Sequence, residues 1–203
     1  MLLEAGEVAT AANLTMAALR ATGDLEGDQA DAIADIYRSL SASHAILPRT
    51  VALSLDGDKR AQLEDSKVLK TAFGDVLHFL PRRTYESYLL DGVAISSLLN
   101  EQPFFKEMPI TAEKVSGWLL KHGNDEEFSA TDETVFSHGW YCKVDGAKLL
   151  ERLFPDVSEA TEIYRKTLHS AQLTRWLLKH NRPALDVLIE YVVNLVPAAL
   201  HVA

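Results

Sequence analysis

The sequence between residues 51 and 60 reads Val51-Ala-Leu-Ser-Leu-Asp56-Gly-Asp58-Lys-Arg60, an apolar run that leads into two aspartates. A short apolar run followed by glycine and charge predicts a buried strand that ends at Asp56. In an open parallel sheet, ligands bind just beyond the carboxyl ends of the strands. Because Mg²⁺ takes oxygen ligands and is commonly held by one or two carboxylates, Asp56 and Asp58 form a predicted site for Mg²⁺ or Mn²⁺.

A second short strand is predicted at residues 76–80, where Pro81 ends it. Between the two strands, residues 60–73 carry apolar side chains at helical spacing. A strand–helix–strand unit of about thirty residues predicts a right-handed crossover that joins two parallel strands. The polar residues that follow the second strand are therefore expected at the same sheet edge as the aspartate pair.

Those polar residues are Arg82, Arg83 and Glu86. The planar fork of an arginine suits a phosphate group, so both arginines are candidate nucleic-acid ligands. Glu86 is a candidate for orienting a metal-bound water or for fixing an arginine. Two plainer interpretations stay open, which are a turn after a strand at Asp-Gly-Asp and a surface ion pair at a helix start.

Taken together, the segments LDGDKR and LPRRTYESYLLD resemble the Toprim domain of the overcoming-lysogenization-defect (OLD) nucleases. In that family a strand ends in Asp-x-Asp, and a segment of the type R-x-x-E-N-Y-L-L follows later in the chain. Ser87 stands here where the family usually has asparagine. A later segment, Tyr164-Arg-Lys166-Thr-Leu-His169, resembles the family's late lysine segment.

The resemblance implies an α/β fold, with a partial Toprim-like parallel sheet flanked by helices and a mainly helical C-terminal part. It implies a Mg²⁺- or Mn²⁺-dependent DNA endonuclease of a phage-defence system, in which Glu86 and Lys166 are catalytic and Lys166 lies near the metal. The partners it implies are DNA and an ATPase domain or subunit. A second copy of the chain, forming a homodimer, is a further expected partner.

The chain also departs from the family pattern. A Toprim domain opens with a glutamate in a segment such as V-E-G-x-x-D, and the nearest candidate here is Glu4, in an alanine-rich helical context. No P-loop pattern occurs in the sequence. The chain is therefore expected to be a fragment, one half of a split system, or a degenerate copy.

Two alternative functions stay open. The first is a catalytically inactive Toprim-like module that docks a partner ATPase. The second is a phosphatase that resembles the haloacid dehalogenases, which also end a strand in Asp-x-Asp. Arg60 occupies the position where those enzymes carry threonine or valine, and their later Gly-Asp-Gly-x-Asp segment is missing from this sequence.

Composition limits the ways in which the chain can bind DNA. The formal net charge is −9, from 29 acidic and 20 basic residues, so a whole-chain basic footprint is missing and DNA contacts are expected to be local. The single cysteine cannot form an intrachain disulfide, which favours a cytoplasmic location. No apolar run approaches the roughly 18 residues that a membrane span needs, so no membrane contact is expected.

Helical patterns dominate the rest of the chain, and they divide it into an α/β part at residues 1–100 and a helical part at residues 101–203. The segment 135–144 is ambiguous and is a candidate strand. Ser158 is predicted as the N-cap of a helix. The predicted helices span residues 1–22, 28–47, 92–99, 111–121, 145–154, 158–169, 170–180 and 183–200.

We expect millimolar Mg²⁺ or Mn²⁺ to raise the melting temperature, because an ion that binds only the folded state stabilises that state. The ion would also relieve the repulsion between Asp56 and Asp58. Asp56→Ala should abolish the gain and leave the fold intact, as measured by thermal unfolding with circular dichroism. A wild-type melting temperature that responds to neither ion would contradict a metal site.

Overall fold

The computed structural model of the chain describes residues 53–57, 77–129 and 131–195. Several sequence predictions lie outside these residues. They are the two N-terminal helices, Glu4, the helix at 60–73, Asp58 and the end of the last helix.

Two three-residue strands form a parallel ladder. Strand β1 is Leu53–Leu55 and strand β2 is Leu77–Phe79. Leu53 pairs with Leu77, and Leu55 pairs with Phe79. These are the two segments and the direction that the strand–helix–strand pattern predicts. The described residues contain no further strand, so the larger Toprim-like sheet stays a prediction.

The described part of the chain is mostly helical. Three 3₁₀ helices accompany the α-helices, at Tyr85–Tyr88, Pro103–Lys106 and Arg182–Leu185. The α-helices are α1 (Gly92–Leu99), α2 (Ala112–His122), α3 (His138–Lys143), α4 (Gly146–Val157), α5 (Lys166–His180) and α6 (Asp186–Asn194).

Four of these helices begin at a side chain that accepts a backbone N–H, which is the reason they begin where they do. Asp91 caps α1, Thr111 caps α2, Ser137 caps α3 and Asp145 caps α4. The capped start of α3 also resolves the ambiguous segment 135–144, which contains a helix and not a strand.

The predicted helix at 158–169 is wrong. Ser158 lies at the C-terminal end of α4, and its hydroxyl exchanges two hydrogen bonds with the backbone of Glu162. Glu159 and Ala160 take positive φ angles of 52° and 59°, which turn the chain away from a helical path. The helix therefore starts only at Lys166, and it continues without a break through the predicted boundary at residue 170.

The chain divides into two compact units. One holds Asp56, Gly57 and residues 80–191, and the other holds, among the described residues, 53–55, 77–79 and 192–195. Helix α1 packs on α2 and α5 inside the first unit. For this reason the unit runs through residue 100, where the sequence predicts a boundary.

The core of the first unit is built from α1, α2, α4 and α5. Trp140 of α3 is fully buried, and its indole Nε1–H donates to the Gly123 carbonyl at 3.0 Å, so its polar atom is satisfied inside the core. The other large side chains that are almost completely buried are Tyr88, Phe154, Leu89, Ile95, Leu99, Leu119, Leu149, Leu150, Leu153, Leu173 and Leu177.

Helix α4 packs closely against the 3₁₀ helix Tyr85–Tyr88 at Gly146. A Cβ atom at this position would lie 2.4 Å from the Ser87 backbone nitrogen and 2.7 Å from the Glu86 carbonyl carbon. Both neighbours are backbone atoms, which have little freedom to shift. Only glycine therefore lets the start of α4 lie against the Tyr85–Tyr88 segment.

We expect Gly146→Ala to lower the free energy of unfolding by about 1–3 kcal/mol, the usual scale of overpacking in a dense core. Gly117→Ala is the matched control, because a Cβ there meets nothing within 4 Å and the residue is exposed inside α2. That change should instead stabilise the protein by about 0.5–1 kcal/mol through helix propensity. Chemical denaturation would measure both, and equal effects of the two changes would contradict the packing argument.

Candidate functional site

The 3₁₀ helix Tyr85–Tyr88 carries Glu86 and is fixed by hydroxyl hydrogen bonds. The Ser87 Oγ donates to the Val144 carbonyl at 3.0 Å. Since Ser87 has only one hydroxyl hydrogen, the Thr84 Oγ1 must be the donor in its 3.1 Å contact with Ser87 Oγ. Both hydroxyl residues are buried, so the backbone around Glu86 is held in one position.

Arg82 braces this segment from inside the protein. Its guanidinium donates to the Ser87 carbonyl at 2.8 Å, and its backbone N–H donates to the Tyr88 hydroxyl at 3.0 Å. The guanidinium carbon lies 4.5 Å from the ring centre of Tyr88 and 4.0 Å from that of Tyr141, a cation–π sandwich. Burial lowers the pKa of Arg82 and raises the pKa of Tyr88 to about 12. With these contacts, Arg82 has a structural role in the fold.

Arg83 lies closer to solvent. Its Nη1 donates to the Lys143 carbonyl at 2.9 Å, and its Nη2 lies 3.8 Å from the Asp145 carboxylate. About a third of the side chain, 34%, is exposed, so Arg83 retains donors that can reach a ligand. Of the two arginines predicted as phosphate ligands, Arg83 is the one whose contact with the backbone lies at the protein surface.

Asp56 meets the same 3₁₀ helix. Its Oδ1 accepts the Tyr85 backbone N–H at 3.2 Å. The following residue, Gly57, runs so close to the backbone after β2 that a Cβ there would lie 2.5 Å from the Arg82 carbonyl oxygen and 2.9 Å from that of Leu80. The absence of a side chain at Gly57 therefore brings the predicted metal ligand next to the Glu86 segment.

Glu86 and Lys166 form an ion pair, with 3.2 Å between the Glu86 Oε1 and the Lys166 Nζ. The Glu86 side chain is 1% exposed and the Lys166 side chain is 59% exposed. Neither carboxylate oxygen of Glu86 has a hydrogen bond of good geometry among the described residues. A buried carboxylate without such bonds depends strongly on its counter-charge.

The pKa of Lys166 reflects the charged groups around it. Burial by itself lowers the pKa of the ammonium. The attraction of the Glu86 carboxylate, with smaller contributions from Asp56 and Asp145, outweighs burial and raises the pKa above its ordinary value. Lys166 is therefore a cation that is paired with Glu86 and lies within the electrostatic influence of Asp56.

A hydrogen bond between Tyr85 and Thr174 holds the two halves of this site together. The Tyr85 hydroxyl lies 2.6 Å from the Thr174 Oγ1. Because Thr174 donates its own hydrogen to the Ser170 carbonyl at 2.7 Å, Tyr85 is the donor in that contact. Helix α5, which begins with Lys166, is thereby fixed to the 3₁₀ helix that carries Glu86.

The donor groups at this site suit a hard cation, because they are carboxylate oxygens. The Glu86 Oε2 is a buried oxygen without a hydrogen-bond partner among the described residues, the kind of atom that a cation or a water would satisfy. Residues 53–57, 77–129 and 131–195 contain no group of three or more His, Cys, Asp or Glu side chains that could hold a metal ion. Asp56 and Glu86 supply two carboxylates of the kind that Mg²⁺ takes, and Asp58 lies outside the described residues.

His169, in the lysine segment, has a structural role. The ring is buried, stacks on Phe154 with 5.0 Å between ring centres, and accepts the Arg165 backbone N–H at Nδ1 over 3.0 Å. Burial lowers its pKa, and the nearby Glu162 carboxylate offsets only part of that effect. The His169 ring therefore holds Arg165, the residue just before α5, against the start of that helix.

Sequence reasoning missed two residues of the site. Asp145 caps α4 and lies 3.8 Å from Arg83, and a recognisable signal was its place just before a helical pattern. Thr174 gives no such signal, because its partner Tyr85 is 89 positions away in the sequence.

Comparison with protein-family models finds no match, and comparisons with curated proteins and with solved structures find no significant match. Within the part of the chain that the structure describes, no helix combines the length and the hydrophobicity that a bilayer crossing needs.

We expect the free energy of unfolding to fall as the pH drops below about 6.5, the ordinary histidine pKa. The pKa of His169 is depressed in the folded state, so below that pH the unfolded chain binds a proton that the folded chain releases. The contribution is fully present above the unfolded pKa and is lost as the pH falls through the lower folded value.

His169→Gln should remove this part of the pH dependence, as measured by urea denaturation across a pH series. His138→Gln, which removes an imidazole at an exposed position, is the control. If His169→Gln leaves the pH profile of the wild-type protein unchanged, the neutral buried histidine is not its source.

Proposed function

We propose that the chain is a Toprim-like, Mg²⁺- or Mn²⁺-dependent DNA endonuclease module of an OLD-type ATPase–nuclease system. The observation that carries the proposal is the meeting of Asp56, Glu86 and Lys166, which come from three separate segments of the sequence. The same three segments carry the resemblance to the OLD nucleases. Two carboxylates and a lysine on neighbouring segments are a suitable set for phosphodiester hydrolysis.

Each residue has a distinct task in this proposal. Asp56 and Glu86 hold the cation, with Asp58 as a further ligand. When bound, Mg²⁺ supplies positive charge to the phosphodiester and lowers the pKa of a coordinated water. Lys166 extends toward solvent and donates hydrogen bonds to phosphate oxygens, where negative charge develops during the reaction. Glu86, fixed in its 3₁₀ helix, would hold the metal at one defined position.

Local positive charge supports a contact with the DNA backbone despite the net charge of −9. Arg83 and Lys148 approach the Asp145 carboxylate at 3.8 Å and 3.9 Å, and Asp145 also acts on Lys166. Lys166 is already paired with Glu86, so Arg83 and Lys148 are the cations beside Asp145 that supply positive charge for phosphates. An ATPase domain or subunit, and a second copy of the chain in a homodimer, would supply further contacts with DNA. The system would act in the cytoplasm.

A second candidate is the catalytically inactive Toprim-like module that docks an ATPase. One observation favours it, because Lys166 already neutralises Glu86 without any metal ion. In this alternative the ion pair is purely structural, and so is the hydrogen bond that the Asp56 carboxylate accepts from the Tyr85 N–H.

We expect the purified chain to nick supercoiled plasmid DNA in the presence of Mg²⁺ or Mn²⁺. Asp56→Ala and Glu86→Gln should each reduce the rate by about a hundredfold or more, the scale for losing a group that supports transition-state charge. Asp132→Ala, which removes an exposed carboxylate, should cut DNA like the wild type. Gel analysis of supercoiled, nicked and linear DNA over time gives the rates.

Two results would decide against the nuclease proposal. A wild-type chain that cuts DNA with neither ion, although it is folded, would favour the inactive module. Cleavage that persists unchanged in Asp56→Ala would assign the activity to another site or to a contaminant.

A further inference from the structure

The two side chains of the Glu86–Lys166 ion pair differ sharply in how freely they can move. Glu86 is 1% exposed and lies on a segment whose backbone is held by the Ser87–Val144 hydrogen bond and by contact with Gly146. Lys166 is 59% exposed and is the first residue of α5. Its ammonium is a compact charge on a flexible four-carbon stem. The carboxylate is therefore stationary, and the ammonium can move.

The ammonium already occupies one side of the carboxylate that a metal ion would have to use. It is 3.2 Å from the Glu86 Oε1, and the other carboxylate oxygen has no hydrogen-bond partner among the described residues. A divalent cation and an ammonium on the same carboxylate repel each other strongly at such distances, especially away from bulk water. Both cations cannot hold Glu86 closely at the same time.

We infer that Lys166 is a tethered counter-cation of Glu86, which a divalent metal ion must displace in order to bind at Asp56 and Glu86. This inference rests on the proposed metal site. Before the metal binds, the ammonium keeps the buried carboxylate neutralised and the fold stable. After the exchange, the metal neutralises Glu86, and the ammonium is released at the rim of the site, within reach of a phosphate group. The same lysine thus serves as a stand-in for the metal and as a ligand for the substrate.

The first test is the affinity for Mn²⁺, measured by isothermal titration calorimetry or by the electron paramagnetic resonance signal of free Mn²⁺. Lys166→Met removes the competing cation and keeps a side chain of similar length. It should bind Mn²⁺ at least about tenfold more tightly than the wild type, equivalent to about 1.4 kcal/mol. Lys166→Arg keeps a cation at the position and should bind Mn²⁺ about as weakly as the wild type.

Lys148→Met is the matched control for charge. Lys148 has a similar exposure of 63%, lies 3.9 Å from Asp145 in the same neighbourhood, and has no contact with Glu86 that resembles the Lys166 pair. Its replacement removes one positive charge, as Lys166→Met does. If general electrostatic attraction set the affinity, both variants would gain equally. The inference expects less than about a twofold change for Lys148→Met.

The second test is the stability of the metal-free protein, which requires no activity. Lys166→Met should melt at a lower temperature than the wild type, because Glu86 is left buried without a counter-charge. Saturating Mn²⁺ should remove that difference, since the metal replaces the missing cation. In a Glu86→Gln background, Lys166→Met should change neither the melting temperature nor the affinity for Mn²⁺. If the single variant is unfolded without metal, Mn²⁺ should restore its circular dichroism spectrum.

Each outcome decides the matter. Equal Mn²⁺ affinity of the wild type and Lys166→Met, or weaker binding by the variant, overturns the inference and leaves the metal site standing. A variant that stays unfolded or destabilised at saturating Mn²⁺ also overturns it. If no form of the protein binds Mn²⁺ at millimolar concentration, the inference and the proposed metal-dependent function fail together.

Discussion

The charge of Glu86 is the constraint on which the site depends. A carboxylate taken out of water loses several kcal/mol of solvation, and a nearby cation offsets that loss. Lys166 provides the compensation, and this requires the first turn of α5 to lie against the 3₁₀ helix Tyr85–Tyr88. The Tyr85–Thr174 hydrogen bond and the packing of α4 on the 3₁₀ helix are the contacts that keep these elements in place. A charge, a hydroxyl contact and a glycine contact therefore act on the same short segment.

The parts of the fold that the sequence predicts well are those with a local cause. Helix α1 at Gly92–Leu99 follows the capping residue Asp91, and both strands follow from apolar runs ended by glycine or proline. The start of α5 is the opposite case. Ser158 has the side chain of an N-cap, but it closes the end of α4, and a histidine inside α5 accepts the N–H of Arg165, the residue just before that helix. A capping propensity states what a side chain can do and leaves its direction open.

The same distinction between local and tertiary causes applies to the residues of the candidate site. Asp56 and Glu86 were predicted from local patterns, and Lys166 from a resemblance to a family, and the structure brings these three together. The role of Arg82 was not predictable, because a guanidinium that braces two tyrosine rings and one that binds phosphate have the same sequence signature. Its ring partner Tyr141 lies far along the chain, and no pattern of spacing announces such a contact. Local sequence patterns thus predicted candidate site residues. Tertiary packing decided which of these charged side chains are used by the fold and which are left for a ligand.

The separation of the site along the chain has a consequence for synthesis on the ribosome. Tyr85 and Thr174 are 89 positions apart, and Asp91 and its amide partner Asn181 are 90 positions apart. At about 5–20 residues per second, translation of such an interval takes on the order of ten seconds. During that time the nascent polypeptide carries its acidic residues without α5. Because the counter-charge of Glu86 is not yet present, its carboxylate stays hydrated. The late arrival of α5 therefore sets the moment at which the carboxylate becomes buried, and a polypeptide released before residue 166 would never complete this step.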